Sequence, residues 1–382
     1  MNRSESASVF KLLAVSPPGL EFTTARELGG LGIEARPESG GVAFSGGLRE
    51  LYLANLWLRS ASRVLLRVAD FRMRDLEGLR RRVGRYPWEL YLPRDSRMRV
   101  RVTSRHSRLY HSGAVSERVV QGVADRCGWV PLDTPEAEEE SLRDAGLLVV
   151  RIVRDRCTLS VDSSGEHLHR RGYRLATAKA PLRENLAAGM LLAAGWSGQA
   201  PLLDPFCGSG TIPIEAALFA QGIPPGGKRT FAFERWRNFD CILWQEMRNA
   251  ALGLRPPTAC PRIAARDWDE GALRAARENA SRAGVLGALD IGSGTLDSLF
   301  PLEEGPGWIV TNPPFGVRIG SEGQVVDLHR RFGSIIRDRF AGWRVVVLSA
   351  NPRLAAALGF RMEKVTRFVT GGIPVALLVG EA

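Results

Sequence analysis

Leu202-Leu203-Asp204-Pro205-Phe206-Cys207-Gly208-Ser209-Gly210-Thr211 is the stretch that decides the fold. Two leucines read as a short buried strand that ends in an acid. A loop of small residues then opens a helical run whose Pro213 falls in the first turn, where proline is tolerated. Gly208 and Gly210 let a ligand approach backbone N–H groups at a helix start. The loop carries no G-K-[ST], so a triphosphate would lack its lysine, and it does not match G-x-G-x-x-G. Alone, the segment also fits a structural glycine turn.

Outward from this loop, predicted strands at Pro201–Leu203, Arg262–Arg266, Trp308–Thr311, Arg344–Ser349 and Val375–Gly380 alternate with predicted helices at Leu182–Ala194, Thr211–Ala220, Asp269–Ala283 and Val325–Phe340. That order is α/β, with an open and mainly parallel sheet. Its ligand belongs at the carboxyl ends of the strands, near the point where strand order reverses.

Two further strand ends carry chemistry. In Ala265-Arg266-Asp267-Trp268-Asp269, Asp267 can accept both hydroxyls of a ribose, and Asp269 reads as the cap of the next helix. Trp268 either lies along an adenine ring or packs in the core. In Ile309-Val310-Thr311-Asn312-Pro313-Pro314-Phe315-Gly316, a strand runs into two prolines that stiffen the backbone and leave carbonyls free to accept. An exocyclic amine conjugated to a ring is a poor nucleophile. If the Asn312 side-chain oxygen and the Pro313 carbonyl each accept one N–H, the lone pair turns toward an electrophile, and Phe315 offers a face for stacking.

The first half reads differently. Strand, turn, helix and strand run from Phe10 to about Phe44, a long helical stretch follows, and Arg63–Val68 returns to strand alternation. Residues 70 to about 165 repeat an α/β pattern, interrupted by acidic Glu136–Glu140, which reads as a solvated loop. This is an α+β region of ferredoxin-like type. Gly165–Arg174 is polar and basic with glycines near both ends and reads as a linker, with a boundary near 175.

The 382 residues suffice for two or three domains, and no apolar run approaches the roughly 20 residues of a membrane span. Met1–Ser6 lacks the apolar core of a secretion signal, so a cytosolic protein is expected. Five widely spaced cysteines with no C-x-x-C argue against a disulfide framework or a zinc module and read as reduced, buried thiols. The pair His167 and His169 lacks a second ligand pair, so no metal is expected. Of 52 basic residues 48 are arginines, and between Arg59 and Arg126 seventeen arginines face seven acids. Such a region suits phosphate, although a GC-rich genome would also favour arginine.

With D-P-x-C-G-S-G-T and N-P-P-F-G-x-R in order, the chain resembles the class I S-adenosylmethionine-dependent methyltransferases of the N-P-P-[FY] type. More narrowly, it resembles the bacterial THUMP-domain family that methylates N2 of a guanine in 23S ribosomal RNA. Pro17–Glu21, Ala54–Arg59, Tyr86–Glu89, Leu109–Ser112, Ala180–Ala188 and Phe231–Glu234 with Trp236 carry the resemblance along almost the whole chain. It implies a ferredoxin-like domain (1–68), a THUMP RNA-binding domain (69–165), a linker (166–180) and a Rossmann-like methyltransferase domain with a mostly parallel seven-stranded sheet (181–382). It further implies that Asp204, Phe206 and the loop Cys207, Gly208, Ser209, Gly210 and Thr211 hold the methionine end of the cofactor. Asp267 then takes the ribose, with Trp268 beside the adenine. The adenine-amine position, usually an acid, falls at Thr295, with Asp297 two residues on.

By the same resemblance, Asn312, Pro313 and Phe315 fall on the target-base site, Asn312 also bordering the cofactor, and Arg318 on an RNA or loop anchor. Arg97, Arg99, Arg101, Arg105 and Arg108 are the candidate phosphate contacts. Some members carry a second methyltransferase domain, an activity expected to be absent from a chain ending at Ala382. A tRNA guanine-N2 enzyme, an adenine-N6 DNA methyltransferase and a non-catalytic RNA-binding assembly factor are the alternatives.

Overall fold

The computed structural model describes residues 9–94, 97–129, 132–133, 145–175, 182–253, 260–314 and 322–382. Strands β1 (Phe10–Val15), β2 (Ala35–Glu38), β3 (Gly41–Gly46), β4 (Arg63–Arg72), β5 (Arg97–Arg105), β6 (Leu132–Asp133), β7 (Ala145–Val153) and β8 (Arg156–Asp162) form one sheet in the order β2-β3-β1-β4-β8-β7-β5-β6. Neighbours are antiparallel except where β5 meets β6 and β7. Alternation explains its two faces. Leu12, Ala14, Val64, Leu66, Leu148 and Val150 turn toward a core shared with helices α1 (Glu21–Gly30), α2 (Leu48–Trp57), α3 (Leu76–Val83) and α4 (Ser112–Cys127). The intervening positions of β5 are mostly arginine. The expected boundary at 68/69 falls inside β4, which pairs with β1 on one side and β8 on the other. The ferredoxin-like and THUMP regions therefore share a single sheet.

The second sheet contains β9 (Leu202–Asp204), β10 (Ile263–Asp267), β11 (Leu289–Ser293), β12 (Trp308–Thr311), β13 (Arg344–Ser349), β14 (Met362–Thr370) and β15 (Ile373–Glu381), in the order β11-β10-β9-β12-β13-β15-β14. The first five are parallel, and β15 runs antiparallel to both of its neighbours. Of helices α5 (Glu184–Ala194), α6 (Thr211–Ala220), α7 (Cys241–Leu252), α8 (Glu270–Ala283), α9 (Glu322–Arg339) and α10 (Pro352–Ala357), all but α7 accompany it, α7 packing into the first core beside α2. The mostly parallel, seven-stranded α/β sheet is as expected. Strands β11 and β14 were not legible: the first is half polar, and the second loses its alternation at a register shift between Lys364 and Thr366. Among the described residues no helix is long and apolar enough to cross a membrane.

The stretch read as a linker is built into the junction between the halves. Leu168, Arg171 and Tyr173 are buried. Arg171 donates to the Arg59 carbonyl at 2.7 Å, and its Nε lies 3.2 Å from the Glu215 carboxylate on α6. Tyr173 donates to Glu215 at 2.9 Å, and Arg59 donates to the Ile223 carbonyl at 2.7 Å. Polarity here reflects internal partners in place of water. The remainder of the expected linker, 176–180, lies outside the described residues, as do Glu136–Glu140. A second seam is aromatic: Tyr52 of α2 stacks on Phe233 at 4.5 Å and meets Trp244 of α7 edge-on at 5.6 Å.

Candidate active site at the carboxyl edge of the parallel sheet

Strand order reverses at β9, which has β10 on one side and β12 on the other, the kind of switch point at which open α/β sheets form their ligand crevice. Asp204 closes β9 and is fully buried. Its Oδ1 accepts from the Thr311 hydroxyl at 2.7 Å and from the Phe206 N–H at 3.2 Å. Burial pushes its carboxyl up to about 7, the neighbouring Asp267 adds to the rise, and the two donors oppose it.

Gly208 and Gly210 adopt positive φ, +53° and +84°. A Cβ on Gly208 would meet nothing within 4 Å, whereas one on Gly210 would meet the Ala276 Cβ at 3.0 Å. Gly208 thus leaves backbone open to the crevice, and Gly210 lets α6 pack on α8. The Ser209 carbonyl accepts from Asn279, a fully buried α8 residue, at 3.1 Å. Burial holds the Cys207 thiol well above its ordinary range, which leaves it unreactive at neutral pH.

Asp267 ends β10. Its carboxylate accepts from the Gly208 N–H at 2.8 Å and the Asp269 N–H at 3.1 Å, joining the loop after β9 to the start of α8. Asp269 caps α8 by accepting from the Gly271 N–H at 2.8 Å. Trp268 is 74% exposed, so the core-packing alternative is excluded. Thr295 is exposed, and Asp297 is exposed and paired with Arg331.

Strand β12 pairs with β9 through Trp308 opposite Leu202 and Ile309 opposite Leu203, which carries Thr311 to Asp204 and brings Asn312 to the crevice. The Asn312 Oδ1 is buried and accepts no hydrogen bond among the described residues, and Pro313, next in the chain, is buried too. A buried amide oxygen without a donor costs free energy unless a ligand supplies one. Phe315 and Arg318 lie outside the described residues.

Arg97, Arg101, Arg105 and Arg108 are exposed on or just beyond β5, and Asp155 fixes the Arg108 N–H at 2.8 Å. Arg99 is a correction: alternation gives it the same sheet face, yet it is buried. The cysteine expectation also needs correcting, because Cys241 and Cys260 are exposed. His167 and His169 stack at 5.1 Å, and burial together with nearby arginines drives them down to about 3 and about 2, so both are neutral. Among the described residues no group of three or more His, Cys, Asp or Glu is arranged to hold a metal. Sequence reasoning missed Thr311 and Asn279. Thr311 could have been suspected from its place before N-P-P, whereas nothing local marks Asn279.

Residues 171–376 match the profile of the RMKL-like methyltransferase domain, residues 11–65 that of the RlmL ferredoxin-like domain, and residues 73–162 that of the THUMP domain. The chain is 36% identical over 388 residues to a ribosomal RNA large subunit methyltransferase K/L of Marinomonas sp. (strain MWYL1), covering 98% of this chain and 53% of that protein. It spans about half the length of such ribosomal relatives. Two crystal structures are similar over nearly their full lengths. SMU.472, provisionally described as a methyltransferase and complexed with SAH, superposes at TM-score 0.86 with 28% identity, over 98% of each chain. A protein of Listeria monocytogenes described as a predicted N6-adenine-specific DNA methylase superposes at 0.85 with 32% identity, over 97% of this chain and 96% of that one.

Proposed function

The chain belongs to the RMKL-like methyltransferase family, and from that premise we propose that it transfers a methyl group from S-adenosylmethionine to N2 of a guanosine in large-subunit ribosomal RNA, in the cytosol. The observation that carries this reading is the buried Asn312 Oδ1, without a hydrogen-bond partner among the described residues, next in the chain to the Thr311 that holds Asp204. An N-H of a conjugated amine is the donor such an oxygen lacks.

The residues around the crevice fit the cofactor. Gly208 exposes backbone there, Asp267 offers a carboxylate to ribose hydroxyls, and Asp204 is a buried acid whose contacts are neutral donors. Phe206 and the loop Cys207–Thr211 would hold the methionine end, with Trp268 and Thr295 on the adenine side. When bound, the cofactor supplies an electrophilic methyl on a cationic sulfur, a leaving group that needs no protonation. Asn312 and the Pro313 carbonyl would accept the two amine hydrogens, fix the nitrogen in line and stabilise the charge that develops on it. Phe315 would stack on the base once it leaves its helix, at a cost of a few kcal/mol that phosphate contacts offset. Arg97, Arg101, Arg105 and Arg108 are proposed for those contacts, with Arg318 as a further RNA or loop anchor. The shared first sheet would act as one RNA-docking unit.

Amine chemistry is common to guanine N2 and adenine N6, and the description of the Listeria neighbour keeps the DNA reading as a rival. Tritium transfer from labelled S-adenosylmethionine to unmodified rRNA, tRNA and DNA, side by side, separates them. Label is expected in large-subunit rRNA. Label on DNA adenine, or none on any nucleic acid despite measurable cofactor binding, overturns the proposal.

A further inference from the structure

Beyond Asn312 the second sheet continues through β13, β15 and β14, and a cavity of about 390 Å³ lies between these strands and α10. Lys364 and Arg367 line it, with Ser349, Ala376 and Leu378 on the strands and Asn351 at the start of α10. None of its lining residues is an acid. Both cations are exposed, and neither pairs with a carboxylate among the described residues.

Register explains how two cations three residues apart reach one cavity. Lys364 stands opposite Leu378, and Arg367 opposite Ala376. Leu378 and Ala376 are two apart on β15 and share a face. An uninterrupted β14 would send Lys364 and Arg367 to opposite faces. The shift between Lys364 and Thr366 leaves Val365 without a partner, a β-bulge that re-aims the strand and brings both cations to the same side. The first half of the molecule braces this bulge: Thr366 donates to the Gly19 carbonyl at 2.7 Å, and Gly19 lies so close that a Cβ there would come within 2.0 Å of the Arg367 carbonyl.

The cavity is also well placed. Thr311 stands opposite Val347 at the last pair of β12 and β13, and Ser349 ends β13 two residues beyond, at the same carboxyl edge from which Asn312 and Pro313 follow. The β9 and β10 loops lie on the opposite side of Asn312. We infer that the cavity receives the ribose phosphate adjoining the target nucleotide, with Lys364 and Arg367 on the phosphate and the Ala376–Leu378 wall against the sugar. This rests on the nucleic-acid reading above and adds to it a strand-positioning subsite.

The test is binding of a fluorescent single-stranded oligoribonucleotide to the full chain, followed by anisotropy across a series of salt concentrations. Each single-strand phosphate contact contributes about 0.7 to the slope of log affinity against log salt, so K364A/R367A is expected to flatten it by about 1.4. The exposed R361A just before β14 is expected to leave the slope unchanged, K364R/R367K to restore it, and all variants to bind S-adenosylmethionine as the parent does. An unchanged slope in K364A/R367A, or equal flattening in R361A, overturns the subsite. A parent chain that binds the oligonucleotide but methylates no RNA overturns the functional proposal while the slopes still decide the subsite. A parent chain that binds no RNA overturns both.

Discussion

Asp204 at the end of β9 and Glu215 on α6 are two buried carboxylates on either side of one loop, and their surroundings differ in one respect. Glu215, at the junction, meets Arg171 and the Tyr173 hydroxyl, with Arg59 close enough to lower its carboxyl as well; burial still raises it, and these groups oppose that rise. Among the described residues the hydrogen-bond donors to Asp204 are the neutral Thr311 hydroxyl and the Phe206 N–H, and burial, with Asp267 nearby, carries it to about 7. A buried charge already balanced by the protein is a structural joint. One left unbalanced at the end of β9 is, in the function proposed above, the group that meets the cofactor.

The sharpest way to break that comparison is E215L. It strands Arg59 and Arg171 without their carboxylate, and urea unfolding should show a loss of about 3–5 kcal/mol. A loss below about 1 kcal/mol would mean that the joint is not held by charge. Next comes N312A, for which single-turnover kinetics should show methyl transfer slowed by about 10²–10³ with an unchanged melting temperature.

D204N sharpens the contrast. It removes an unbalanced buried charge, so stability should hold while calorimetry shows S-adenosylmethionine binding at least about tenfold weaker, the equivalent of one pKa unit. Since a cationic cofactor favours ionised Asp204, parent affinity should rise as pH rises through about 7, and D204N should lose this dependence. The stability sign runs the other way. With its folded pKa raised, Asp204 holds its proton longer in the folded chain, so it costs stability as pH climbs from about 4 to about 7, and D204N should lack that decline. The smallest effect belongs to T311V, which removes a donor that lowers Asp204. Its binding midpoint should move to higher pH, with a few-fold weaker cofactor binding at pH 7.

The crevice was readable because its signals are local: acids at strand ends, glycines where a ligand nears the backbone, prolines that stiffen the strand exit. The junction was not, because Arg59, Arg171 and Glu215 are scattered along the chain and a run such as Gly165–Arg174 looks solvated until its partners are known. Arg99 fails for a related reason: alternation tells which face a side chain takes, not whether another segment covers it. At β14 one unpaired residue was enough to hide a strand and the cationic pair it aligns.

The central claim is that Asn312 readies the exocyclic amine of guanosine for methylation. Its most direct measurement is nucleoside mass spectrometry of large-subunit rRNA after incubation with S-adenosylmethionine and either the parent chain or N312A. The account predicts N2-methylguanosine with the parent and at most a trace with N312A. A methylated product other than N2-methylguanosine, or equal yields from both chains, would contradict it.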